Sequence, residues 1–197
     1  MGINIQKFQA MKILFLGPYN KRIIQCLKAD ENEIFQTEVK INAIPLNFDF
    51  GISYNYRHKI NRPTIDYFDG KLINLHISYL PYNRGADPNL WSFIDDTPSG
   101  VTIHLIDEGL DTGPILIQKQ VAFDIKETLR SSYEKLTHEV ESLFILNKKK
   151  ILAQEIELHP QVGKGSYHKT SDKESLIFWT KNFDFNITIE KLKKCHL

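Results

Sequence analysis

The stretch INLHISYLPYNRGADPNLW, residues 73–91, sets an amide and an imidazole two positions apart, at Asn74 and His76. In an extended strand residues i and i+2 share a face, so both side chains aim at one point. An amide NH2 can hold a developing oxyanion, and an imidazole moves a proton near neutral pH. Such a pair needs a carboxylate to orient or charge the ring. The loop EGLDTGP supplies Asp111, between Leu110 and a Thr-Gly turn, with Asp107 and Glu108 as alternatives on chemistry alone. Taken in isolation, an N-x-H pair reads more often as two polar residues that cap a strand end and bond to backbone than as a catalytic pair.

Elements must deliver these groups. MKILFLG (11–17) reads as a short buried strand ending at a Gly-Pro turn. KRIIQCLKAD (21–30) has helical spacing at Ile23, Ile24 and Leu27, EIFQTEVKI (33–41) and FDFGISYNY (48–56) read as strands, and RPTIDYF (62–68) as a helical turn with Pro63 near its start. KLINLH (71–76) is then a strand that carries Asn74 and His76 near its carboxyl end, where open parallel sheets bind ligands. DPNLWSFID (87–95) predicts a helix with Asp87 as N-cap and Pro88 at its first position. GVTIHLID (100–107) and PILIQKQVAF (114–123) form a hairpin around the EGLDTG loop, and 126–152 is the strongest helix, with Leu129, Tyr133, Leu136, Val140, Leu143, Phe144, Ile151 and Leu152 at 3–4 spacing. Alternating strands and helices predict an α/β domain, Rossmann-like, with a mostly parallel central sheet. It covers residues 11–153, with 154–197 as a small C-terminal extension.

The bulk numbers exclude several classes. The 197 residues allow one domain with a real core, and 42% hydrophobic with 25% charged residues is ordinary for a globular chain. Lys plus Arg is 25 and Asp plus Glu is 24, a balance that speaks against a general nucleic-acid binder. Cys26 and Cys195 form no CxxC or Cys/His cluster, so neither a zinc site nor a disulfide framework is expected, and the setting is expected to be reducing and cytoplasmic. No apolar run reaches membrane-spanning length, and MGINIQKFQA is too polar for a secretory signal. Because Met11 begins the better strand, residues 1–10 read as an upstream extension or a misplaced start.

N-L-H, then L-P, R-G-A, a tryptophan, G-V-T-I-H and D-E-G-L-D-T-G-P-I-L resemble together the signature of the folate-dependent formyltransferases. The resemblance runs from about residue 12 to about 123 and is densest over 73–118. It implies that Asn74, His76 and Asp111 are catalytic. It implies N10-formyltetrahydrofolate as co-substrate, with the pterin held mostly by the backbone of Tyr56, Arg57, His58, Lys59 and Ile60 and of Ile106, Asp107, Glu108 and Gly109. The reaction implied is formyl transfer to a neutral amine, with no metal, and with either His76 or Asp111 through water as the base.

Within that family the acceptor separates the branches. A phosphate loop after the first strand belongs to the glycinamide ribonucleotide enzymes, whereas FLGPYNKRIIQ offers one glycine and a proline that removes a donor. NLHISYLPYNRGADPNLWSF, ISYNYRH and the tail GKGSYHK resemble the sugar N-formyltransferases, which implies a nucleotide-linked amino sugar, dTDP-4-amino-4,6-dideoxyglucose, and a role in O-antigen or lipopolysaccharide synthesis. Glycinamide ribonucleotide, or a non-catalytic folate or sugar-nucleotide binding module, are the alternatives. Asn83, Arg84 and Asp87 are acceptor candidates, Arg84 serving equally as a loop anchor. Lys164, Tyr167, His168 and Lys169, with Gly163 and Gly165, are candidates for the nucleotide diphosphate, set against a solvated surface loop. His104 reads as a bonded core histidine and Trp91 as packing. Phe178, Trp179, Phe183 and Phe185 suggest a homodimer surface. Neither a nucleic acid nor a membrane is expected as a partner.

Overall fold

The computed structural model describes residues 9–44, 47–176 and 183–194. The chain divides into two compact units, Met1–Leu72 and Ile73–Leu197.

In the first unit β1 (Lys12–Leu16) pairs in parallel with β2 (Glu33–Thr37) on one edge and β3 (Phe50–Tyr54) on the other. Strands of parallel sheets are covered on both faces and read as continuous apolar runs. Accordingly all five residues of β3 and four of the five in β1 are buried. Helix α1 (Lys21–Lys28) makes the crossover from β1 to β2, capped by Asn20, whose side chain accepts the Ile23 N–H. Helix α2 (Arg62–Phe68) is capped in the same way by Asn61, with Pro63 in its first turn. Gly17 ends β1 at φ +131°, and a Cβ there would lie 1.9 Å from the Tyr54 carbonyl oxygen, so this turn requires glycine. The strands expected over 33–41 and 48–56 are shorter than the sequence suggests, closing at Thr37 and Tyr54.

The second unit is built on β4 (Leu72–His76), β6 (Gly100–Leu105) and β7 (Ile115–Gln120), whose β4–β6 and β6–β7 ladders are antiparallel. The expected hairpin over 100–123 is therefore present. The chain has the α/β class with a mostly parallel central sheet, its parallel ladders lying in the first unit. Helix α3 (Pro88–Ile94) begins at Asp87, but that residue is at φ +51° and its carboxylate makes no cap bond. It pairs with Lys173 at 2.9 Å instead. Helix α4 (Leu129–Leu152) starts not at the expected 126 but at Leu129, the first residue of the apolar spacing, because Thr128 and Ser131 form a reciprocal capping box there. Its inner face buries Leu129, Leu136, Val140, Phe144, Ile151 and Leu152, while Tyr133 is exposed.

The tail is stitched onto this unit. His159 bridges Ile115, β8 (Tyr167–His168) pairs in parallel with β5 (Arg84–Gly85), and Thr188 bridges Thr128 just ahead of α5 (Ile189–Lys194). Leu176, Ile189 and Leu192 join Leu90, Trp91, Phe93, Ile94 and Leu129 in one apolar cluster, with Phe183 packed against it. Phe178 and Trp179 of the expected dimer surface lie outside the described residues. Among the described residues no helix is long and apolar enough to cross a membrane.

Candidate active site

β4 presents Asn74 and His76 on one face, as strand alternation requires. The antiparallel register sets His104 of β6 opposite Asn74, and Thr102 opposite His76. The turn after β4 is pinned from the same strand: the Thr102 hydroxyl accepts the Leu80 N–H at 3.2 Å and donates to the Ser78 carbonyl at 2.7 Å. Asp111 arrives on the loop between β6 and β7. Its Oδ1 accepts from Asn74 Nδ2 at 3.1 Å, and its Oδ2 accepts the Gly85 N–H at 2.9 Å. His76 Nε2 stands 3.8 Å from Oδ2, and His104 Nε2 stands 3.6 Å from Oδ1. Both separations exceed a hydrogen bond, so the two rings feel this carboxylate mainly through its charge.

Hydrogen-bond partners assign the tautomers. Nδ1 of His104 lies 2.7 Å from the Leu105 carbonyl and therefore donates. Its Nε2 is then an acceptor when the ring is neutral, facing Asn74 Nδ2 at 3.3 Å. His76 hydrogen-bonds the Asn83 backbone, while its Nε2 is buried with no hydrogen-bond partner among the described residues. That leaves Nε2 of a neutral His76 as a bare acceptor. Burial lowers the His76 pKa below its usual 6.5, and His104 adds to this against the raising effect of Asp111 and the Asn83 backbone. Burial also opposes ionisation of Asp111. The charges of His76 and His104 and the Gly85 N–H outweigh it, and the carboxyl lies well below its usual range. The site thus holds an ionised carboxylate beside a neutral imidazole, an arrangement able to take a proton and stabilise the resulting imidazolium.

Sequence reading missed His104 as a member of this group, although it is indeed a bonded, buried histidine. The signal was the strand register, which sets T-I-H across from N-L-H. It also missed Gln161, which donates to the Asp111 and Gly113 carbonyls at 2.8 and 2.9 Å.

The acceptor candidates are brought together by the β5–β8 pairing, which aligns Arg84 with Tyr167 and Gly85 with His168. Asn83 is fully buried, its amide donating to Thr97 Oγ1 at 2.7 Å and accepting from Ser166 Oγ at 3.1 Å. Arg84 donates to Gln161 Oε1 through Nε and Nη2. His168 stacks on Trp91 with ring centroids 3.9 Å apart and bonds Asp95 at 2.7 Å. Tyr167 is half exposed, Lys164 and Lys169 are exposed, and the Lys169 N–H donates to Asp172. The two loops assigned to folate lie in different units. In the first, the Tyr56 hydroxyl donates to the Val39 carbonyl at 2.8 Å, Ile60 is buried, and Arg57, His58 and Lys59 are exposed. In the second, Asp107 Oδ1 accepts from the Gly109 N–H and the Thr112 hydroxyl, shaping the turn with its own side chain. Glu108 and Gly109 are exposed there, and Ile106 is half-buried. Among the described residues no group of three or more His, Cys, Asp or Glu is arranged to hold a metal ion.

Residues 7–147 match the formyl transferase family, and the chain belongs to it. Its backbone superposes with a TM-score of 0.88 on the formyltransferase PseJ from Anoxybacillus kamchatkensis, crystallised with UDP-4,6-dideoxy-4-formamido-L-AltNAc and tetrahydrofolate. The two are 46% identical over 94% of this chain and 100% of that one. A methionyl-tRNA formyltransferase of Thermodesulfovibrio yellowstonii is 37% identical over 123 residues, 62% of this chain and 40% of the relative. A dTDP-4-amino-4,6-dideoxyglucose formyltransferase of Mycobacterium bovis is 34% identical over 97 residues, 49% of this chain and 41% of the relative. The chain thus spans about two fifths of the length of these curated relatives.

Proposed function

We propose that this chain transfers a formyl group from N10-formyltetrahydrofolate to the 4-amine of a nucleotide-linked 4-amino-4,6-dideoxy sugar. The observation that carries the reading is the bare Nε2 of His76 facing an ionised Asp111. The likeness to PseJ across 94% of the chain supports it. In the proposed step the neutral amine attacks the formyl carbon, and the carbonyl oxygen becomes an oxyanion. Asn74 donates one amide hydrogen to Asp111 and turns the other, held only by the longer contact to His104, onto that oxygen. His76 Nε2 takes the amine proton, and the Asp111 charge stabilises the imidazolium. The C–N bond to the folate then breaks, and the proton from His76 passes to the departing nitrogen. For the pterin we assign the backbone of Ile106, Asp107, Glu108 and Gly109, a turn whose shape Asp107 fixes internally. Tyr56, Arg57, His58, Lys59 and Ile60 are assigned as folate contacts on family resemblance.

For the acceptor, the PseJ ligand and the M. bovis relative's name share a 4,6-dideoxy sugar bearing nitrogen at C4. The sequence expectation was the dTDP-linked glucose compound. The greater identity and coverage of PseJ favour a UDP-linked sugar as the first to try. The formamido product would serve a surface polysaccharide such as O-antigen. The test is a formyl-transfer assay with UDP- and dTDP-linked 4-amino sugars, a dTDP-linked 3-amino sugar, glycinamide ribonucleotide and methionyl-tRNA. Turnover with a 4-amino sugar nucleotide is expected. Turnover confined to one of the other acceptors would replace this reading, and no turnover with any would favour a binding module.

A further inference from the structure

We propose that Gln161 is a positioning residue for Asp111, working with Arg84 in a closed hydrogen-bonded ring. The inference rests on the role given to Asp111 above. All four hydrogen-bonding positions of the Gln161 amide are used. Oε1 accepts from Arg84 Nε at 3.0 Å and Nη2 at 2.6 Å, and Nε2 donates to the carbonyls of Asp111 and Gly113 at 2.8 and 2.9 Å. Guanidinium only donates and carbonyls only accept, so the amide has a single possible orientation.

The ring closes through the neighbour of Arg84. The Gly85 N–H donates to Asp111 Oδ2 at 2.9 Å. The dipeptide Arg84–Gly85 therefore grips Asp111 twice, at its carboxylate directly and at its carbonyl through Gln161. Asp111 needs such a grip because it sits at φ +55°, a conformation costly for a residue with a side chain. Two residues on, a Cβ at Gly113 would lie 1.9 Å from the Leu105 carbonyl oxygen, so the loop packs directly against the backbone of β6 there. A neutral amide suits the position, because a carboxylate would point at two carbonyl oxygens. Arg84 thus spends its Nε and one Nη2 hydrogen on holding the loop.

The test uses the full chain with Gln161→Ala and the size-matched Gln161→Glu, which keeps an oxygen for Arg84 but loses both donors. Two readouts are taken: steady-state formyl transfer, and NMR titration of the His76 imidazole, whose titratable neighbours are Asp111 and His104. Both variants are expected to lower kcat roughly tenfold to a hundredfold, with KM for either substrate changed less than about threefold. The His76 titration should move to lower pH, since a displaced Asp111 no longer raises it. Arg84→Ala should behave alike, and the Arg84→Ala/Gln161→Ala double variant should be no worse than either single one. An unchanged His76 titration with kcat within about twofold of wild type would overturn the proposal. So would an Arg84→Ala effect confined to KM for the sugar nucleotide. If the wild type formylates no acceptor, the functional reading fails while the titration still decides the clamp.

Discussion

At the scale of single residues, His76 is governed by opposing influences: burial and His104 disfavour its proton, while Asp111 and the Asn83 backbone favour it, and burial prevails. The ring is therefore neutral at pH 7, and kcat should be flat near neutrality and fall through an acid limb below 6.5. Asp111→Asn removes the main raising influence, so it should shift that limb further toward acid and lower kcat roughly a hundredfold. Stability follows with its own signs. With its pKa lowered, His76 costs the fold nothing above 6.5 and weakens it progressively as the pH falls below that value. Asp111, also lowered, contributes stability above 3.8 that is lost as the pH falls through and below it. Denaturant unfolding between about pH 4 and pH 8 should therefore show a steeper acid dependence for Asp111→Asn than for wild type, because His76 loses the influence that eases its protonation in the fold. Asn74→Ala and His76→Ala should each slow transfer by roughly a hundredfold in folded protein, as circular dichroism and the assay will show. The grouping of Asn74, His76 and Asp111 was anticipated because the family resemblance singles out these three, whereas residue type and spacing alone leave open a strand-end cap and Asp107 or Glu108 as the carboxylate. His104 was not, because its membership depends on which residue of β6 lies across from Asn74, and one sequence does not print register.

At the scale of elements, apolar spacing located α1 and α4 and proline positions marked α2 and α3, the Thr128 cap set the true start of α4, and the mixed pattern of the tail hid α5. The two-residue strands β5 and β8 were invisible, since no periodicity exists over two residues and the partners lie far apart in sequence. Yet this pairing shapes the loop that bonds Asp111. Gly85 stands at φ +89°, and a Cβ there would meet the His168 carbonyl oxygen at 2.4 Å. Gly85→Ala should cost about 1–3 kcal/mol of stability and lower kcat by displacing the N–H from Asp111. Thermal melting and the formyl-transfer assay check the two halves.

At the scale of the whole molecule, the formal net charge of +1 supplies no general attraction for an anionic sugar nucleotide, so recognition must come from placed groups. Lys164 and Lys169 flank Tyr167 and His168 on the segment docked against the Arg84 loop. Lys169→Ala should raise KM for the sugar nucleotide several-fold (~3–10) and leave kcat within about twofold, as initial rates over a range of acceptor concentration will show. No change in either constant would return this segment to a solvated loop. The span of the bonds that close the site also carries a consequence in time. The Asn83 N–H is held by Ser166, 83 positions later, and the Asp111 carbonyl by Gln161, 50 positions later. Contacts of such separation form late, because the intervening chain must first be made and ordered. A nascent polypeptide halted before Gln161 would already contain the amide, the imidazole and the carboxylate, yet lack the Gln161 and Ser166 bonds that brace their loops. Competence would then arrive in one late event, when the tail docks, rather than accumulate as the chain grows.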